Sequence, residues 1–130
     1  MYLAKDKGPR TKDIAEQSMA DSIFTKIINR QIPAKIAYED DQYIAIHDIN
    51  PQAPVHLLVI PKRPIATLND LQPADAELVG GLFLLATQLM SEMGQKDYRT
   101  VINCGEQAGQ SVFHIHLHVL AGRQMAWPPG

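Results

Sequence analysis

The sequence predicts an α+β domain with a mainly antiparallel, five-stranded sheet and two helices. Three observations predict it. The periodicities run in the order helix, three strands, helix, two strands. Every connection between strands but one is short enough to join antiparallel neighbours. The 130 residues, 45% of them hydrophobic, suit a single core.

Residues 1–20 mix seven charges with Gly and Pro and show no sustained period. They read as a flexible extension, of which residues 1–18 either precede an alternative start at Met19 or were added by an expression vector. The domain proper spans residues 21–130. Asp21 or Ser22 is placed to cap a short helix whose Ile23, Phe24, Ile27 and Ile28 recur at helical spacing, ended by Pro33. Strands follow at 36–39 and 43–49 around the turn at Asp40 and Asp41. The loop from Asn50 to Pro54 contains two prolines, which deny the ladder its donors, and residues 56–60 form an apolar strand stopped by Pro61.

Pro73 opens a longer helix, with Asp75 and Glu77 near its positive end. Its apolar stripe is Leu78, Leu82, Leu85, Ala86, Leu89 and Met93, and Gly94 stops it. The last strands are 99–103 and 112–121, joined by a loop containing Gly105 and Gly109. No internal repeat interrupts this order.

The charge balance of 12 Lys+Arg against 14 Asp+Glu gives a formal net charge of -2, so a nucleic-acid partner is not expected. A single phosphate needs only a local site. No apolar run reaches the roughly 18 residues of a membrane span, and no apolar signal core opens the chain. A cytoplasmic domain with no membrane partner is the expectation. Cys104, the lone cysteine, has no partner within the chain and no basic neighbour that would make it a nucleophile.

The informative residues are His114, His116 and His118, alternating with Phe113, Ile115, Leu117 and Val119. In a strand, positions i, i+2 and i+4 share one face at intervals of about 6.6–6.8 Å. Three readings compete. A solvated strand face explains the alternation but not why each polar position is His. A shared metal suits imidazole ligands, but the outer two lie about 13 Å apart along a strand. In the third, one neutral imidazole attacks an electrophile while neighbours stabilise the developing anion. The loop upstream suits the third reading, because Gly105 and Gly109 allow amides to face an anion and Asn103, Gln110 and Ser111 add neutral donors.

Ile44, Ile46 and Asp48 share one strand face, which suits a flat base beside a carboxylate that accepts from two sugar hydroxyls. His47, on the opposite face, reads as structural or solvated. His56 reaches the histidine row if its strand lies beside it; otherwise it is a buried, hydrogen-bonded core residue.

The string Gly109-Gln110-Ser111-Val112-Phe113-His114-Ile115-His116-Leu117-His118-Val119-Leu120 resembles the histidine triad motif. The likeness extends through SIFTKIINRQIPAKIAYEDD, HDINPQAPVHLLVIPK and GRQMAWPPG, covering about residues 21–130. The short tail after His118 and the all-histidine triad resemble the branch of histidine triad nucleotide-binding proteins that act as purine nucleoside phosphoramidases. That resemblance implies hydrolysis of purine nucleoside 5′-phosphoramidates through a nucleotidyl-histidine. The alternatives it leaves are a dinucleoside polyphosphate hydrolase and a nucleotide-binding regulator with little catalysis.

It also implies a homodimer whose two sheets join into one of ten strands, with Trp127 contributing to the partner's site, and no cofactor or metal. His116 would be the nucleophile and His118 would bind phosphate near the leaving group. His114 and His56 would support the site's hydrogen bonds. Asn103, Gly109, Gln110, Ser111 and Val112 would hold phosphate, and Ser111 or His118 would relay a proton to the leaving amine. Asp48 would bind ribose, and Ile23, Phe24, Ile27, Ile46 and Ile49 would wall the base, Ile46 standing where an aromatic is common.

Overall fold

A computed structural model describes residues 22–130; the extension 1–20 and the capping candidate Asp21 lie outside the described residues. Ser22 caps the first helix, α1 (Ile23–Ile28), its Oγ accepting from the Thr25 N–H at 3.1 Å, and the helix buries Phe24 and Ile27. Strands β1 (Ile36–Glu39) and β2 (Tyr43–His47) are joined by a turn in which Asp40 Oδ1 accepts from the N–H groups of Gln42 and Tyr43, both at 2.8 Å. Strand β3 (Val55–Pro61) follows.

Two 3-10 turns, Leu68–Asp70 and Pro73–Asp75, lead into α2 (Ala76–Glu92). The chain closes with β4 (Tyr98–Val101) and β5 (Leu117–Ala121). The sheet order is β1-β2-β3-β5-β4, with every neighbouring pair antiparallel, as the order and connection lengths predict.

Strand alternation divides the core in two. Tyr43, Ala45, Leu57, Val59, Leu117, Val119 and Ala121 pack on Leu82, Leu85, Ala86, Leu89 and Met90 of α2. Ile44, Ile46, Leu58 and Ile60 face the other way, against Phe24 and Ile27 of α1. Each large aliphatic buried this way contributes about 1.5–3 kcal/mol. The histidine side chains of β3 and β5 belong to the α1 side, because His56 and His118 have the parity of Leu58. That side is covered by a six-residue helix, and there it opens.

Several element ends differ from the sequence-based expectation. Met93, expected on the buried stripe, caps the end of α2 and is 39% exposed, whereas Met90 one turn earlier is fully buried. The strand expected at 43–49 stops at His47, where Asp48 turns to accept the Asn50 N–H at 2.8 Å. The strand expected at 99–103 is Tyr98–Val101. The one expected at 112–121 begins only at Leu117, because the preceding segment bends away and Ile115 N–H bonds to Ile65 O at 2.8 Å instead of to a neighbouring strand.

Candidate active site

His118 is the only triad histidine inside a strand. The ladder pairs it with Leu58 on one side and Val101 on the other. His116 and His114 sit in the bend before β5, so backbone carbonyls there are free to meet their rings. His116 Nδ1 is 2.8 Å from the carbonyl of His114, and His114 Nε2 is 2.7 Å from the carbonyl of Pro61. The Phe24 ring meets His116 edge-on with 4.9 Å between centroids. The centroids of His116 and His118 are 5.0 Å apart.

These partners fix which nitrogen carries each proton. A carbonyl only accepts, so His116 holds its proton on Nδ1 and leaves a lone pair on Nε2. The Gln52 N–H donates to His56 Nδ1 at 3.0 Å, which puts the His56 proton on Nε2. That proton faces His118 Nδ1 at 2.9 Å, so His118 accepts there and bears its own hydrogen on Nε2. His116 and His118 both line the cavity. Between them they offer it one basic nitrogen and one N–H donor.

The histidines are neutral at pH 7. Burial lowers the pKa of His114, His116 and His56 below the ordinary imidazole value. For His118 burial is again the largest cause, joined by the repulsion of His116 and His56 and opposed by Asp48, and together they push it to about 4.

The cavity these rings border has a volume of about 390 Å³. Its apolar lining is Ile23, Phe24 and Ile27 of α1, Ile46 and Leu58 of the sheet, and Ile49, 94% exposed. Asp48 stands beside them, its Oδ2 3.4 Å from His56 Nε2. Asn103, Gly109, Ser111 and Val112 complete the lining with the two histidines. A wider groove of about 780 Å³, bordered by Lys96, Arg99 and Arg123, contains none of the histidines and is not the centre of the chemistry.

The structure places one expected residue off the cavity and adds others to its lining. Gln110 does not line the cavity: it is 3% exposed, its carboxamide donating to Ala66 O at 2.7 Å and Val112 O at 3.1 Å and accepting from Gly105 N–H at 2.9 Å. Its polar atoms tie the loop together and leave none for phosphate. Trp127 is 81% exposed and also lies off this cavity. His47, read from the sequence as structural or solvated, lines the cavity, as do Leu58, Ile32, Pro33 and Ala34, none of which was expected at the site. Leu58 was legible, being two residues from His56 on the same strand face; the others depend on how the chain leaves α1 and β2.

Asp48, His56 and His118 bring one ligand atom each within 4.8 Å of one another, which invites a cation. The donor chemistry argues against it. With His56 Nδ1 accepting the Gln52 N–H, its Nε2 carries a proton and has no lone pair for a metal. The residues present do not fit a metal ion.

The family described as "Scavenger mRNA decapping enzyme C-term binding" matches residues 21–127. The chain belongs to the histidine triad (HIT) superfamily. An uncharacterized HIT-like protein of Synechocystis sp. is 53% identical over 111 residues, 85% of this chain and 97% of that one. The solved HIT family hydrolase of Legionella pneumophila is 47% identical, with a TM-score of 0.82 over 85% of this chain and all of its own. A histidine triad protein of Clostridium difficile is 38% identical, with a TM-score of 0.77 over 80% of this chain and 92% of that one. The HIT fold and the triad are therefore features of this chain. Among the described residues no helix is long and apolar enough to cross a membrane.

Proposed function

We propose that this HIT protein is a hydrolase that converts purine nucleoside 5′-phosphoramidates to a nucleoside monophosphate and an amine, through a nucleotide covalently held on His116. The observation that carries the reading is the 2.8 Å bond from His116 Nδ1 to a carbonyl, which commits the free lone pair to the nitrogen facing the cavity. Burial keeps that nitrogen unprotonated at pH 7.

In the first step His116 Nε2 forms a bond to the α-phosphorus and the P–N bond breaks. The leaving nitrogen takes a proton from solvent relayed by the Ser111 hydroxyl. His118 Nε2–H, the Asn103 amide and the loop amides at Gly109 and Val112 donate to the phosphoryl oxygens as charge gathers there. Water then displaces His116 from phosphorus and returns a proton to solvent. The apolar end between α1 and Ile46 takes the base, and Asp48 accepts from the ribose hydroxyls. Neutral donors supply the electrostatic stabilisation, so no cofactor enters either step.

The active unit is a homodimer. Two features support it: among the described residues β4 ends the sheet with an unpaired edge, and α2 turns Leu84, 72% exposed, and Phe83, 41% exposed, outward. In that arrangement Trp127 serves the partner's site.

The test is His116→Ala assayed on adenosine 5′-phosphoramidate and on a diadenosine polyphosphate. Wild-type kcat/KM is expected to favour the phosphoramidate, and the variant to lose hydrolysis while still binding AMP. Unchanged turnover in the variant, or a preference for the diadenosine compound, refutes the reading.

A further inference from the structure

The proton arrangement at the cavity is set by a short chain of hydrogen bonds that begins outside it. His118 presents Nε2–H because His56 donates to its other nitrogen, and His56 donates because the Gln52 N–H occupies His56 Nδ1. Gln52 is itself held from the far side, through the peptide group that follows its Cα. Its carbonyl accepts from Arg123 Nε–H at 2.8 Å. Gly122, immediately before Arg123, lies so close to Pro54 that a Cβ there would come within 2.9 Å of the Pro54 Cβ. The segment after β5 therefore grips the 50–54 loop at two points.

We infer that Arg123 is a positioning residue for the His56–His118 pair, acting through the backbone of Gln52 to hold His56, and through His56 to hold His118, in the tautomer that faces an N–H to the substrate. Arg123 is exposed and does not border the nucleotide cavity, so its effect on chemistry passes through this chain and not through contact with substrate. Released, Gln52 can shift and draw its N–H away from His56 Nδ1, and His56 is then free to carry its proton on either nitrogen.

The perturbation has a definite sign. The groups facing His118 are His116, His56 and Asp48. With His56 Nε2–H aimed at His118 Nδ1, a second proton on His118 meets a hydrogen already in place. Loosening His56 removes that obstacle, so His118 accepts a proton at higher pH than in the intact chain.

The test uses Arg123→Ala and Arg123→Lys in the full chain, with two readouts. Long-range ¹H–¹⁵N spectra of ¹⁵N-histidine protein report tautomers directly. His56 and His118 are expected to be Nε2–H in the wild type, mixed in the Ala variant and largely restored in the Lys variant, which keeps a cationic donor. The kinetic readout rests on the phosphoramidase reading: kcat should fall about tenfold, the scale of one charge-assisted hydrogen bond, with KM within about twofold and the acid limb of the pH profile moved upward. Unchanged tautomers in Arg123→Ala overturn the inference. A wild type inert on phosphoramidates overturns the functional reading alone, since the spectra need no substrate.

Discussion

Acid should destabilise this fold well before its carboxylates titrate, and His118 is the main reason. Its pKa falls from an ordinary 6.5 to about 4 in the folded chain, burial being the largest cause. The unfolded chain therefore binds a proton at His118 that the folded chain refuses. Stability from this source is fully present above pH 6.5 and is lost as pH falls from there toward 4. At pH 5 the loss from His118 alone is about 2 kcal/mol, approaching about 3 kcal/mol at lower pH. His56, His114 and His116 are lowered in the same direction and steepen the decline. Urea denaturation at intervals between pH 7.5 and 5 measures it. In His118→Asn, whose side-chain oxygen can still accept from His56 Nε2–H, the decline over this range should be shallower by about 2 kcal/mol. Equal slopes in the two proteins would refute the account.

Three further outcomes test other parts of the structure. Asp48→Ala should raise KM for a ribonucleoside phosphoramidate, with steady-state kinetics on the 2′,3′-dideoxy substrate showing a smaller change, since the proposed partners of the carboxylate are then absent. Gln110→Ala should cost about 1–3 kcal/mol in denaturant melts, because it orphans the Gly105 N–H and two carbonyls, and should lower turnover by loosening the loop. Gly81→Ala should cost about 1–3 kcal/mol by the same measurement, because a Cβ there would lie 1.9 Å from the buried Tyr43 hydroxyl, which donates to Leu78 O at 2.7 Å.

What the sequence discloses about this fold is what side-chain periodicity can encode. The alternation in β2 and β5 and the stripe of α2 fixed which residues point to which core, and a single-residue error at Met93 came from running the stripe past the helix end. The path of residues 112–116 was not legible, since it depends on a backbone bond from Ile115 to Ile65, some fifty positions away. The site divides in the same way. The triad, His56, Asp48 and Ile46 were named from residue type and spacing, and the rest of the apolar wall from the family resemblance. The orientation of Gln110 was not, because an amide looks the same in sequence whether it faces a ligand or a carbonyl. Nor were the backbone groups of Gln52 and Pro61, which carry no residue-specific signal and yet decide the proton positions of His56 and His114.

The neutrality of the histidine cluster also bears on how a catalytic cycle ends. A site lined with fixed cations grips a doubly charged monophosphate harder than a singly charged phosphoramidate, and its own product becomes an inhibitor. Here His116 and His118 enter the cavity uncharged, and what they present is an acceptor and a dipolar donor. The extra negative charge gained on hydrolysis finds no counter-charge waiting among them. On the phosphoramidase reading, the burial that keeps the nucleophile unprotonated also eases departure of the nucleotide it has made.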